Sequence, residues 1–167
     1  RWGNEVRQSL NLKLGLAREE SNETYLGLTL NDFESTPYRR YAASQKDLMT
    51  TEQEQYSLRY TAQLGSNWQL TSVVYRNDFH RNWYKLDKVL GTSIADVLND
   101  PMANDSAYQV ITGADSEADA LSLKANNRDY YAQGWETNVE YKFNSGQSNH
   151  KINFGTRLHE DQIDRFQ

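Results

Sequence analysis

From Tyr56 onward the chain is apolar at every second position: Tyr56, Leu58, Tyr60, Ala62 and Leu64 alternate with Ser57, Arg59, Thr61 and Gln63. A period of two describes an extended strand with one apolar face and one polar face. The same pattern returns in Leu10, Leu12, Leu14 and Leu16, in Trp135 to Phe143, and in Ile152 to Leu158. Between Trp68 and Tyr84 it is less regular. Trp68, Leu70 and Val74 share one parity while Val73, Tyr75, Phe79 and Trp83 share the other, which predicts a bulge near Val73 and Val74 that switches the faces. Five strands are predicted, over residues 6–19, 51–64, 68–84, 129–143 and 150–166.

The connections alternate between short and long. Gly65 to Asn67 and Asn144 to Asn149 carry tight-turn chemistry, whereas the links over 19–50 and 85–128 are long and include the helical-looking strings SIADVLND and SAYQVI. Two such loops are unusual in a compact soluble domain. Short turns on one rim and long loops on the other are the arrangement of an outer-membrane barrel. The predicted fold is therefore all-β: antiparallel strands of a large transmembrane β-barrel, with two long extracellular loops containing short helices. Five strands cannot close a barrel, and their length exceeds the roughly 9 to 11 residues that cross a bilayer, so the parent is expected to be larger, with strands projecting beyond the membrane. The competing fold is a soluble β-sandwich or sheet-based binding module. Charges such as Lys13, Arg59 and Glu140 on the polar faces suit both, and the loop asymmetry favours the barrel.

Composition adds to this picture. The 167 residues are 37% hydrophobic but 12% aromatic, with eleven tyrosines and four tryptophans, a balance expected of strands covered on one face and ending at a polar interface. A net charge of -5 without a basic patch argues against nucleic acid as a partner. The lack of cysteine excludes a disulfide scaffold or a cysteine-ligated metal. The chain opens at RWGNEVRQ without an initiator methionine or signal peptide and stops at HEDQIDRFQ within a strand pattern, so it reads as a piece of a larger protein.

The run SNETYLGLTLNDFESTPYRRYAASQKDLMTTEQEQYSLRY, Ser21 to Tyr60, and the run YRNDFHRNWYKLDKV, Tyr75 to Val89, resemble the barrel region of TonB-dependent outer-membrane receptors, within them the ferric dicitrate type. The resemblance covers Leu10 to Phe166, and ETYLGLT, PYRRYAAS and RNDFHRNWYKL are its distinctive strings. It implies a 22-stranded barrel in the bacterial outer membrane, occluded by an N-terminal plug and driven by TonB. Residues 1–167 would then be a partial barrel domain, with neither plug nor TonB box in this sequence. The implied partners are a ferric chelate (ferric citrate or a siderophore), outer-membrane lipid, and TonB through the missing parts.

Four arginines are the candidate ligand-binding residues. Arg39 and Arg40 lie beside Pro37, Tyr38 and Tyr41 in the first long loop, and Arg76 and Arg81 lie near His80, Trp83 and Tyr84. Guanidinium offers forked donors that match the carboxylates of an anionic chelate. The competing reading pairs these arginines with Asp32, Glu34 or Asp78, or places them at the rim as snorkelling side chains. His80, His150 and His159 show no ligand spacing, DSEAD at 115–119 lacks the glycine and terminal glutamate of a calcium loop, and no nucleophile turn or phosphate loop is present. No metal site, cofactor or enzymatic activity is therefore expected. The aromatics are expected to form two girdles, Trp68, Tyr141 and Phe143 near the short turns and Tyr75, Trp83, Tyr84, Tyr130 and Tyr131 toward the long loops.

Overall fold

The computed structural model describes residues 6–167, so that RWGNE, on which the reading of a cut N-terminal end partly rests, lies outside them. The fold is all-β. Its strands are β1 (Val6–Ser21), β2 (Leu48–Leu64), β3 (Trp68–Val89), β4 (Thr92–Ser93), β5 (Leu121–Ser145) and β6 (Ser148–Phe166). They form one antiparallel sheet in the order β1-β2-β3-β5-β6, with β4 paired to β3. Among the described residues three short helices accompany them: α1 (Leu30–Ser35), α2 (Ile94–Asn99) and α3 (Asp105–Thr112), with a 3₁₀ turn at Ala42–Ser44.

Two differences from the sequence reading have physical causes. First, β3 and β5 reach well into the stretch expected to be a loop. Leu86 and Val89 on β3 are buried in a core against which Leu121 and Leu123 of β5 pack, so this burial extends strands whose alternation is masked by Lys, Asp and Asn. Secondly, the bulge at Val73 and Val74 does not occur opposite β5. Trp68 stacks on Tyr141, Ser72 bonds Thr137, Arg76 bonds Gln133 and His80 bonds Asp129, so four residues along β3 always match four along β5. Val73, Tyr75 and Phe79 therefore stay on the polar face.

The chain divides into two compact units. The described residues of the first are 6–17, 52–80 and 129–164, and it contains both tight turns. Among its described residues only one hydrophobic side chain, Ala62, is buried. Large apolar side chains crowd one face and stay exposed, among them Leu14 at 65%, Phe154 at 71% and Leu158 at 64%. On the other face Glu140 holds Lys142 and Lys151 at 3.0 and 2.5 Å. Here too Gly134 lets the Tyr75 ring cross its strand to reach His159, because a Cβ at Gly134 would stand 2.6 Å from the Tyr75 hydroxyl.

The second unit, residues 18–51, 81–128 and 165–167, holds the hydrophobic core. Tyr41, Ala43, Leu86, Val89, Val97, Ala107 and Ile111 are buried together. The helices start where capping chemistry allows. Thr29 accepts from the Asp32 amide at 3.2 Å and Ser93 from the Asp96 amide at 3.2 Å, and both acidic residues sit in first turns, where the helix dipole favours them. The strings SIADVLND and SAYQVI are thus α2 and most of α3, and α3 ends at Gly113, whose φ of 119° few other residues adopt. The β3–β4 hairpin turns through Leu90 and Gly91, both at positive φ, 49° and 79°.

Candidate functional site

Three of the four predicted arginines are engaged by the protein itself. Arg39 Nη1 donates to Asp32 Oδ1 at 2.8 Å. Arg40 turns the other way, with Nε to Ser44 Oγ at 3.1 Å, Nη2 to the Ser44 carbonyl at 2.6 Å, and Nη1 to the Asn22 carbonyl. Arg76, in the first unit, forks onto Asp78 at 2.9 and 2.7 Å and reaches Gln133 at 2.9 Å. Arg81 alone keeps a buried Nε without a hydrogen-bond partner.

Arg81 has company that the linear sequence conceals. With His80 against Asp129, the register of β3 and β5 sets Arg81 beside Arg128 and Lys85 beside Lys124. Four cations thus meet on two neighbouring strands of the second unit. Burial, and next to it the Lys124 charge, push the Lys85 ammonium below its ordinary range; Arg81 acts in the same sense, while Asp87 and Asp47 oppose it. Like charges directly across a strand pair are unfavourable, so a fold that keeps them is suited to receive negative charge. Asn126 accepts from Arg128 Nε at 2.8 Å.

Aromatic rings complete the site. The Lys85 ammonium lies 3.4 Å from the Tyr25 ring centre and 4.9 Å from that of Trp83. The two rings meet edge to face at 5.3 Å, and Trp83 Nε1 donates to the Glu23 carbonyl at 3.1 Å, which fixes the pair. Trp83 and Tyr25 therefore hold a cation in place, a role that differs from a lipid girdle. Such a surface can bind an anionic, oxygen-rich ligand through charge and forked donors. Lys85, Lys124 and Arg128 were missed in the sequence because only strand register brings them to Arg81.

An open hollow of about 580 Å³ lies in the first unit, lined on its apolar side by Leu12, Leu58, Val74, Trp135 and Leu158 and bordered by Arg76 and Glu160. Among the described residues no group of three or more His, Asp or Glu side chains is arranged to hold a metal ion. Among the described residues no helix is long and apolar enough to cross a membrane, a finding that does not bear on crossing by strands. The chain matches no protein-family model, no curated protein and no solved structure.

Proposed function

We propose that this chain is part of the wall of a bacterial outer-membrane receptor of the TonB-dependent type, which takes up anionic ferric chelates of the ferric citrate or siderophore class. In this reading the apolar sheet face meets lipid, the polar face lines the lumen, and the plug and TonB contacts belong to parts of the protein outside this sequence. The observation that carries it is the division of the apolar face. Val74, Trp135 and Leu158 lie side by side on β3, β5 and β6, and the next outward-facing residues are Arg76, Gln133 and Glu160, joined in a row in which Arg76 donates to Gln133 and Gln133 donates to Glu160. An apolar band that stops along a line across three strands is what the edge of a bilayer imposes. On β5 the band runs from Trp135 to Phe143, close to the roughly 9 to 11 residues of a tilted spanning strand. Arg81, Lys85, Lys124 and Arg128 would then attract the chelate.

One observation favours the second reading, a soluble β-sheet binding module. The hollow on the apolar side draws walls from both edge strands, Leu12 on β1 and Leu158 on β6, as a sheet curled toward that face would produce. A barrel turns its lipid face outward. The experiment that separates the readings uses single cysteines, the chain having none of its own. In the intact protein in outer membranes, cysteines at Leu12, Leu58 and Val139 are expected to resist a water-soluble maleimide, while those at Lys13, Arg59 and Glu140 react once the lumen is opened to reagent. Equal labelling of the two sets removes the barrel reading.

A further inference from the structure

The two long connections, residues 22–47 and 90–120, meet at one buried carboxylate. Asp32 is 4% exposed, and its Oδ2 accepts a phenol from each connection: Tyr41 at 2.6 Å from its own and Tyr108 at 2.5 Å from the other. Its Oδ1 takes Arg39 at 2.8 Å. The Tyr41 hydroxyl in turn accepts from the Thr29 amide at 3.1 Å, and the Tyr41 and Tyr108 rings pack edge to face at 6.2 Å. Charge-assisted bonds of this kind are stronger than neutral ones, and without the carboxylate the buried Tyr41 and the partly buried Tyr108 would both lose their charged acceptor.

We propose that the two connections act as a single lid and that Asp32 is its clasp. Each connection alone is short of partners: α1 and α2 have six residues each, and the core that stabilises them takes Tyr41 and Ala43 from one connection and Val97, Ala107 and Ile111 from the other. The first connection also carries Tyr25, which lies over Lys85. Releasing the clasp therefore loosens both connections together and uncovers the ammonium group, so that access to the cationic face is governed from Asp32. The lid follows from packing within the second unit and does not depend on whether the apolar sheet face meets lipid.

The test is amide hydrogen exchange on the full chain, read by mass spectrometry. Tyr108→Phe, a substitution in the second connection, is expected to raise exchange about tenfold at residues 29–44 of the first, and Asp32→Asn to do the same at residues 105–112. Amides at 56–62 and 135–141 in the sheet should be unchanged in both variants. Faster exchange confined to the substituted connection overturns the proposal, as does uniform acceleration that includes the sheet. Tyr108→Phe keeps the ring and its packing, so it reports on the clasp even where Asp32→Asn unfolds.

Discussion

Replacing Lys124 by Gln should stabilise the protein while weakening its hold on anions. Lys85 and Lys124 face each other across β3 and β5, and the Lys124 charge adds to burial, the larger cause, in lowering the proton affinity of Lys85. Side chains at this separation place their charges about 6 Å apart. With an effective dielectric of about 40 to 80, between that of a protein surface and water, the repulsion is about 0.7 to 1.4 kcal/mol, and a Debye length of about 8 Å at physiological salt roughly halves it. Gln keeps most of the aliphatic stem, so Lys124→Gln should gain about 0.5 to 1 kcal/mol in equilibrium urea unfolding at low salt and almost nothing near 1 M salt. The sign with pH is fixed as well. Because the folded-state proton affinity of Lys85 is lowered, its penalty is present in full below that value and disappears as pH rises through it toward 10.5, the ordinary value. Citrate or ferric citrate should stabilise the parent more than the variant. A variant less stable than the parent, or a gain that ignores salt, would refute the reasoning.

Two further predictions concern the loops. Leu90→Asn should stabilise the chain by about 0.5 to 1 kcal/mol, since a two-residue hairpin with both residues at positive φ favours Asn before Gly and Leu90 is half exposed; thermal unfolding checks it, and a loss of stability would contradict it. Tyr108 is pushed up from 10.0 to about 12, chiefly by its bond to Asp32, so its contribution is complete below pH 10 and lost as pH rises toward 12; an alkaline step in stability should vanish in Tyr108→Phe. Asp32 has the opposite sense. The two phenols hold its carboxyl below the ordinary 3.8, so its contribution is complete above that value and lost as pH falls through the lowered one.

The faces of the sheet were legible because a period of two is a property of the extended backbone, and Leu58 and Arg59 point apart in any strand. Strand ends were less legible. The tail of β3, KLDKV, spreads its apolar residues among charges, and only contact with α2 and α3 shows that Leu86 and Val89 belong inside. The candidate binding residues were legible only as chemistry. Arg39 and Arg40 are neighbours in sequence, yet Asp32 and Ser44 draw them to separate structural duties. Lys85 and Lys124 stand far apart in sequence, and register alone makes them a pair.

What the apolar face requires can be argued from energy. The first unit buries a single hydrophobic side chain among its described residues, yet ordering its strands costs about 1 to 2 kcal/mol of backbone entropy for each residue. Hydrogen bonds of the ladder return too little to offset this, because the unfolded chain bonds equally to water. Fully covering one Leu or Phe is worth about 1.5 to 3 kcal/mol, and Leu12, Leu14, Leu16, Phe154 and Leu158 are all more than half exposed. The missing stabilisation must therefore come from whatever covers this face. A second protein surface would need matching relief and would bury the polar row of Arg76, Gln133 and Glu160 only at a desolvation cost. A hydrocarbon layer needs no matching relief, and its edge leaves that row in the polar interface. For this reason the one-faced sheet, with its core confined to the second unit, supports the membrane wall over the soluble module.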